Sequence, residues 1–180
     1  MRFLLITLIT LWAFTSNAIA RINYMHQNKD PELFCLAQNI FHEAGTESFM
    51  GKVAVALVTL NRVKDNRYPN TVCDVVKQGP IRESWKTKMT PDPSDAEFYP
   101  VRNMCQFSWY CDGKSDIPTN KKIYNRMLTL AKAILSDKFH FVDITEGATH
   151  YHANYVLPYW AKTKTKTVVI QDHIFYRWEK

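Results

Sequence analysis

Residues 42–47 read HEAGTE, a histidine beside a glutamate with a second glutamate four positions on. Three chemistries share such a segment: a zinc-protease helix, a helix end with ordinary surface charge, and a glycosidic acid. The first needs H-E-x-x-H, because two histidines one turn apart put two ligands on one helix face. Position 46 is Thr, so that reading fails. Glu43 follows Phe41 and other apolar residues, where a carboxyl would be partly desolvated and its pKa raised. A glutamate that keeps its proton at neutral pH is what a glycosidase needs to protonate a leaving oxygen. Glu47 has a simpler reading, since just before Ser48 its charge favours the positive end of the helix that follows.

Sugar rings offer apolar faces to aromatic side chains and hydroxyls to amides. CQFSWYC supplies Gln106, Ser108, Trp109 and Tyr110, and THYHANYVLPYW supplies Tyr151, His152, Tyr155, Tyr159 and Trp160. Aromatic stripes belong more often to cores than to clefts. The interleaved His, Asn and Gln nevertheless make Gln106, Ser108, Trp109, Tyr151 and His152 candidates for a glycan-binding wall. His150 and His152 alternate along an expected strand and so share a face. With His173 or His42 they could form a metal site, although periodicity names no third ligand and the ordinary reading is two polar histidines lining a cleft. No G-x-S-x-G elbow supports a serine nucleophile. KTKTKT at residues 162–167 reads as a solvated, aggregation-resistant sheet edge.

The elements that must position these groups follow from periodicity and caps. Asp30-Pro31-Glu32 opens a helix in which Leu33, Phe34, Leu36, Ala37, Ile40 and Phe41 recur at helical spacing, with Gly45 as the stop. Glu43 thus falls in the last turn of a buried helix. A second helix runs from about Ser48 to Val63, and a short third is expected over 71–77 with Asn70 as its cap. Residues 79–104, with Pro80, Pro91, Pro93 and Pro100, read as one long loop able to wall a cleft. Asn120 caps a further helix, and β-branched and aromatic residues then mark strands in GATHYHA, KTVVI and HIFYRW. The fold class expected is α+β, a helical body with a small late antiparallel sheet.

The first twenty residues carry Arg2, an apolar run from Phe3 to Phe14 and the ending Ala18-Ile19-Ala20. They read as a secretory signal peptide, too short in its apolar run for the ~20 residues of a membrane-spanning helix. Residues 21–180 then form a single domain without a stable membrane span, exported to the periplasm or secreted. Removing the leader takes only Arg2 from the charges, so the formal net charge of +6 becomes +5. That balance favours anionic surfaces without choosing among them. Cys35, Cys73, Cys105 and Cys111 give an even count suited to two disulfides in an exported chain. A small loop closed by Cys105 and Cys111 would leave Cys35 to Cys73, with the other two pairings open.

Six ordered segments, CLAQNIFHEAGTE, GKVAVALVTLNRV, YPNTVCDVV, CQFSWYCDG, GATHYHANYVLPYW and HIFYR, resemble the cell wall hydrolase family typified by the spore-cortex-lytic enzymes. The resemblance runs from about Cys35 to Arg177. It implies a lysozyme-like catalytic domain that cleaves the MurNAc–GlcNAc bond of peptidoglycan, with Glu43 at the position of the catalytic glutamate. In a lytic transglycosylase the C6 hydroxyl of MurNAc is the nucleophile, and one carboxylate suffices. Peptidoglycan glycan strands are then the partner; no nucleic acid, cofactor or metal enters this reading, and the chain is taken as a monomer. Two departures stand out: the family's E-A-R-G-E is E-A-G-T-E here, and its I-G-x-H is Ile170-Gln171-Asp172-His173. The rival readings are a non-catalytic peptidoglycan-binding module and a metal-dependent amidase built on His150 and His152.

Overall fold

The computed structural model describes residues 30–89, 92–136 and 141–179. The leader expected over residues 1–20 lies outside the described residues. Helix α1 spans Pro31–Ala44, with Pro31 at its start and the Asp30 carboxylate accepting from the Leu33 amide at 3.1 Å. That cap satisfies one of the amides a helix start leaves without an intrahelical partner. Helix α2 spans Phe49–Lys64 and is capped by Ser48. It is buried almost all round, from Val53 through Thr59, as expected of a helix with elements packed on several sides. Helix α3 is the short Val72–Val76, and Thr71 rather than Asn70 caps it. The Thr71 hydroxyl reaches the Asp74 amide, and the Glu32 carboxylate on α1 takes the Val72 amide at 2.7 Å.

Helix α4, Lys121–Leu135, starts at Asn120 as the sequence predicts and buries Met127, Leu130, Ala131 and Ile134. These side chains meet Leu36, Ala37 and Ile40 of α1 and Val53, Ala56 and Leu57 of α2 in the principal core. The long loop expected over 79–104 contains regular structure. Strands β1 (Ile81–Glu83) and β2 (Phe98–Pro100) pair as an antiparallel hairpin, opposing Arg82 to Tyr99. Three-residue strands interrupted by prolines carry too little period-2 signal to be read from sequence.

Strands β3 (His150–Ala153), β4 (Thr165–Ile170) and β5 (His173–Arg177) form the late sheet in the order β3-β5-β4, all antiparallel. Phe175 on β5 packs with Ala148 against Ala54 and Val58 of α2, so α2 lies between the helical core and the sheet. β4 is one of the sheet's two edge strands, with β3 at the other edge, and Lys166 within it stays exposed. Lys164, just before it, places its ammonium 4.3 Å from the centre of the Trp178 ring. Disulfides join Cys35 to Cys73 and Cys105 to Cys111. No helix among the described residues is long and apolar enough to cross a membrane.

Candidate active site around Glu43

Helix α1 ends at Ala44, which leaves Glu43 half-buried in its last turn. The stop at Gly45 is not a left-handed cap, since its φ is −57°. A Cβ there would run into the Phe41 carbonyl oxygen. Glycine is therefore needed for close approach of the chain as it leaves the helix.

The partner of Glu43 comes from the sheet, 108 positions along the chain. The Tyr151 hydroxyl on β3 donates to Glu43 Oε2 at 2.8 Å. Tyr151 opposes Phe175 in register and leans its ring on the Phe175 and His173 rings. The phenol is thus held by packing from behind. Burial raises the Glu43 carboxyl above its ordinary value, and the Tyr151 hydrogen bond and the charge of Arg62 offset only part of that rise. Burial, together with the Glu43 charge and hydrogen bond, holds the Tyr151 phenol well above its usual value, so it remains a donor.

Arg62 reaches this region from the last turn of α2. Its Nε donates to the Thr149 carbonyl at 2.7 Å, one residue before β3 begins, and its guanidinium lies 4.9 Å from the Phe107 ring centre. Asn61 beside it donates to the Asp143 carboxylate and the Ala148 carbonyl, which ties α2 to the approach of β3. Burial alone would push the Asp143 carboxyl up, but hydrogen bonds from Thr145, Asn61 and Gly147 bring it below its usual value. The anchored loop fixes where Tyr151 stands relative to Glu43.

Trp109 is placed by a second chain of bonds. Its indole donates to Oδ1 of the fully buried Asn39 at 3.0 Å, and Asn39 donates in turn to the Thr59 hydroxyl of α2. The indole stacks on His42 at 4.4 Å and 14°, beside Glu43 in sequence. Gln106 and Ser108 are exposed on either side of the buried Phe107 in the same disulfide-closed loop. His152 lies elsewhere. Strand alternation turns it to the face opposite Tyr151, where it is buried, pairs with the Tyr176 hydroxyl at 3.0 Å and contacts Trp160.

His150 shares that opposite face. Burial and the positive charges of Arg62, Lys164 and Arg67 push its ring down to about 3. Among the described residues no three His, Cys, Asp or Glu side chains are grouped to hold a metal ion. Glu47 sits beside Gly51 at the start of α2, with Gln171 as its neighbour, and its charge acts on His173 and Lys52. Of the residues singled out in the sequence, the structure brings Tyr151 to Glu43 and Trp109 to the adjacent His42. Asn39, His42 and Arg62 were not legible as members of this group. Their hydrogen-bond partners lie 70 or more positions away, apart from Thr59.

With this geometry in view, the comparison with family models is decisive: the model described as Cell Wall Hydrolase matches residues 46–176. The chain belongs to the cell wall hydrolase family. The match begins at Thr46, so Glu43 stands just outside it. Among solved structures, the chain is similar to the catalytic domain of the germination-specific lytic transglycosylase SleB of Bacillus anthracis. That likeness has a TM-score of 0.52 and 23% identity over 81% of this chain and 93% of the other. The catalytic domain of Bacillus cereus SleB gives a TM-score of 0.50 at 23% identity, over 81% of this chain and 89% of the other. Both are likenesses of fold, and they place this cell wall hydrolase in the lysozyme-like class. No curated protein sequence matches the chain.

Proposed function

We propose that the protein is an exported peptidoglycan-degrading glycosidase, acting as a lytic transglycosylase on the MurNAc–GlcNAc bond with Glu43 as general acid and then general base. The observation that carries the reading is the half-buried Glu43, its proton favoured by burial and its carboxyl held by Tyr151. Family membership supplies the cell wall as the site of action. The similar Bacillus anthracis SleB domain is a lytic transglycosylase, which supports the transglycosylase form of the reaction.

The steps balance with one carboxyl. Protonated Glu43 gives its proton to the glycosidic oxygen as the C1–O bond breaks, and GlcNAc leaves as an alcohol. The resulting carboxylate takes the proton of the MurNAc C6 hydroxyl as O6 bonds to C1, which yields a 1,6-anhydro sugar and restores the acid without consuming water. Tyr151 fixes the carboxyl rotamer throughout, and Trp109, stacked on His42, offers an aromatic wall beside it. Gln106 and Ser108 belong to the same wall as exposed hydrogen-bonding groups, whereas His152 supports the sheet from behind.

The test is mass spectrometry of the soluble products released from purified sacculi by residues 21–180 with both disulfides formed. Anhydro-muropeptides are expected. Reducing-end muropeptides would replace the transglycosylase with a hydrolase and direct attention to Glu47 as a second carboxylate. Free stem peptides would overturn the glycosidase in favour of an amidase, and chelator sensitivity would then implicate His150 and His152.

A further inference from the structure

The β1–β2 hairpin lines an open cleft of about 580 Å³ with no role in the reaction above. Arg82, Lys86, Lys88 and Arg102 line it together with Trp85 and Tyr99. All four cations are exposed, and among the described residues none takes part in an ion pair. Trp85 is 75% exposed, which leaves a large aromatic face without a packing partner. Register sets Arg82 directly opposite Tyr99, so the two residues share one face of the hairpin.

The lining also has two carboxylates, Glu83 and Glu97. Glu97 accepts the Tyr99 hydroxyl at 2.8 Å, and Glu83 accepts from Thr87. Four cations against two carboxylates leave the cleft net positive but of mixed sign. A phosphate backbone would meet repulsion from both glutamates. A peptide bearing several carboxylates and a free amine would find partners of both kinds.

The hairpin is also tied to the wall that carries Trp109. The Val101 amide donates to the Pro80 carbonyl at 2.8 Å and the Gln106 amide to the Gln78 carbonyl at 2.9 Å. Arg102 Nε donates to the Asp112 carbonyl at 3.2 Å, and its guanidinium lies close over Gly113. A strand of substrate lying along the Trp109 wall has this cleft at the other end of one hydrogen-bonded segment.

We infer that the hairpin cleft binds the carboxylate- and amine-bearing stem peptides of a peptidoglycan strand, with Trp85 as an apolar platform and Arg82, Lys86, Lys88 and Arg102 as carboxylate partners. The inference rests on the proposed substrate and adds to it a site for the peptide rather than the sugar. It assigns part of substrate recognition to residues distant in sequence from Glu43.

The experiment uses the Glu43→Gln chain, so that binding is read without cleavage. Two further variants are made in that background, Trp85→Ala and the combined Arg82→Glu, Lys86→Glu, Lys88→Glu. All these side chains are exposed, and thermal melting checks that each variant is folded. Equilibrium binding to intact sacculi is compared with binding to sacculi stripped of stem peptides, at low and high salt. Intact sacculi are expected to bind about tenfold more tightly than stripped ones at low salt, with the difference shrinking as salt rises. Charge reversal is expected to abolish the difference, and Trp85→Ala to reduce it.

Equal binding of intact and stripped sacculi, or unchanged preference after charge reversal, overturns the inference. So does tighter, patch-dependent binding to duplex DNA, which would assign the surface to nucleic acid. Stem-dependent binding by a protein whose Glu43 form releases no glycan fragments would retain this site and remove the proposed reaction. Cleavage without stem preference would do the reverse.

Discussion

Tyr151 and Glu43 form the pair on which the proposed chemistry depends, and each can be tested by removing one functional group. Tyr151→Phe keeps the ring packed on Phe175 and deletes the donor. A hydrogen bond to an ionised group contributes ~1.5–3 kcal/mol, so a fall in kcat of about tenfold or more is expected. The hydroxyl favours the ionised carboxyl, and its loss raises the Glu43 pKa further. The high-pH limb of the kcat profile should therefore move upward; an unmoved limb would mean that Glu43 is not the titrating acid. Glu43→Gln should lower turnover by ~10²–10⁴-fold, the range ascribed to a positioned general acid, while leaving sacculus binding intact. A binding module would show no dependence on this residue.

The same variant carries a stability signature. Because the folded-state pKa of Glu43 is raised, its contribution is full below the ordinary carboxylate range and is lost as pH rises through the raised value. Glutamine has no proton to lose. The Tm of Glu43→Gln should therefore exceed that of the parent chain at neutral and alkaline pH, with the gap closing in acid.

At the scale of elements, the β4–β5 turn has its own compensation. Gln171 has φ +51°, a left-handed conformation that costs a side-chain-bearing residue ~1–2 kcal/mol. Its side-chain oxygen accepts from the Ser48 amide at 2.7 Å, satisfying a group at the start of α2. Where the family pattern has glycine, this chain keeps a strained residue that joins the sheet to the helix. Gln171→Gly should leave stability nearly unchanged, since relief of strain offsets a lost bond of ~1 kcal/mol. Gln171→Ala loses the bond and keeps the strain, so its Tm should fall by about 2–4 °C. Equal melting of the two variants would show that the turn is unstrained.

At the scale of the whole molecule, the Cys35–Cys73 bridge ties α1 to α3 across 38 positions. In the chain-entropy account, a closed loop of that length stabilises the fold by about 4 kcal/mol, whereas the Cys105–Cys111 loop closes only six positions and contributes less. Replacing Cys35 and Cys73 by Ala should lower stability by roughly 3–4 kcal/mol in chemical denaturation. Replacing Cys105 and Cys111 should lower it less and act chiefly on activity, because that loop carries Trp109. The reverse order would indicate that α1 is held by packing alone.

The helices, the caps at Asp30 and Asn120, the start of α2 near Ser48 and the late strands were legible because each rests on local signals: 3.6-residue periodicity, a side chain three positions from the amide it caps, and β-branched runs. Glu43 was legible for the same reason, since helix placement alone puts it in the last turn of a buried segment. The β1–β2 hairpin was not, because its three-residue strands form only when paired with each other. In the sequence Tyr151 and His152 read as members of one wall, whereas strand alternation sets them on opposite faces, and which of them meets Glu43 depends on the side of the sheet that α2 covers. Phe175 against Ala54 and Val58 decides that, and so turns Tyr151 toward the helices. Local periodicity determined the helices, the late strands and the place of Glu43 in its helix; packing between residues 70 to 108 positions apart decided which side chain meets Glu43 and where Arg62 and Trp109 stand around it.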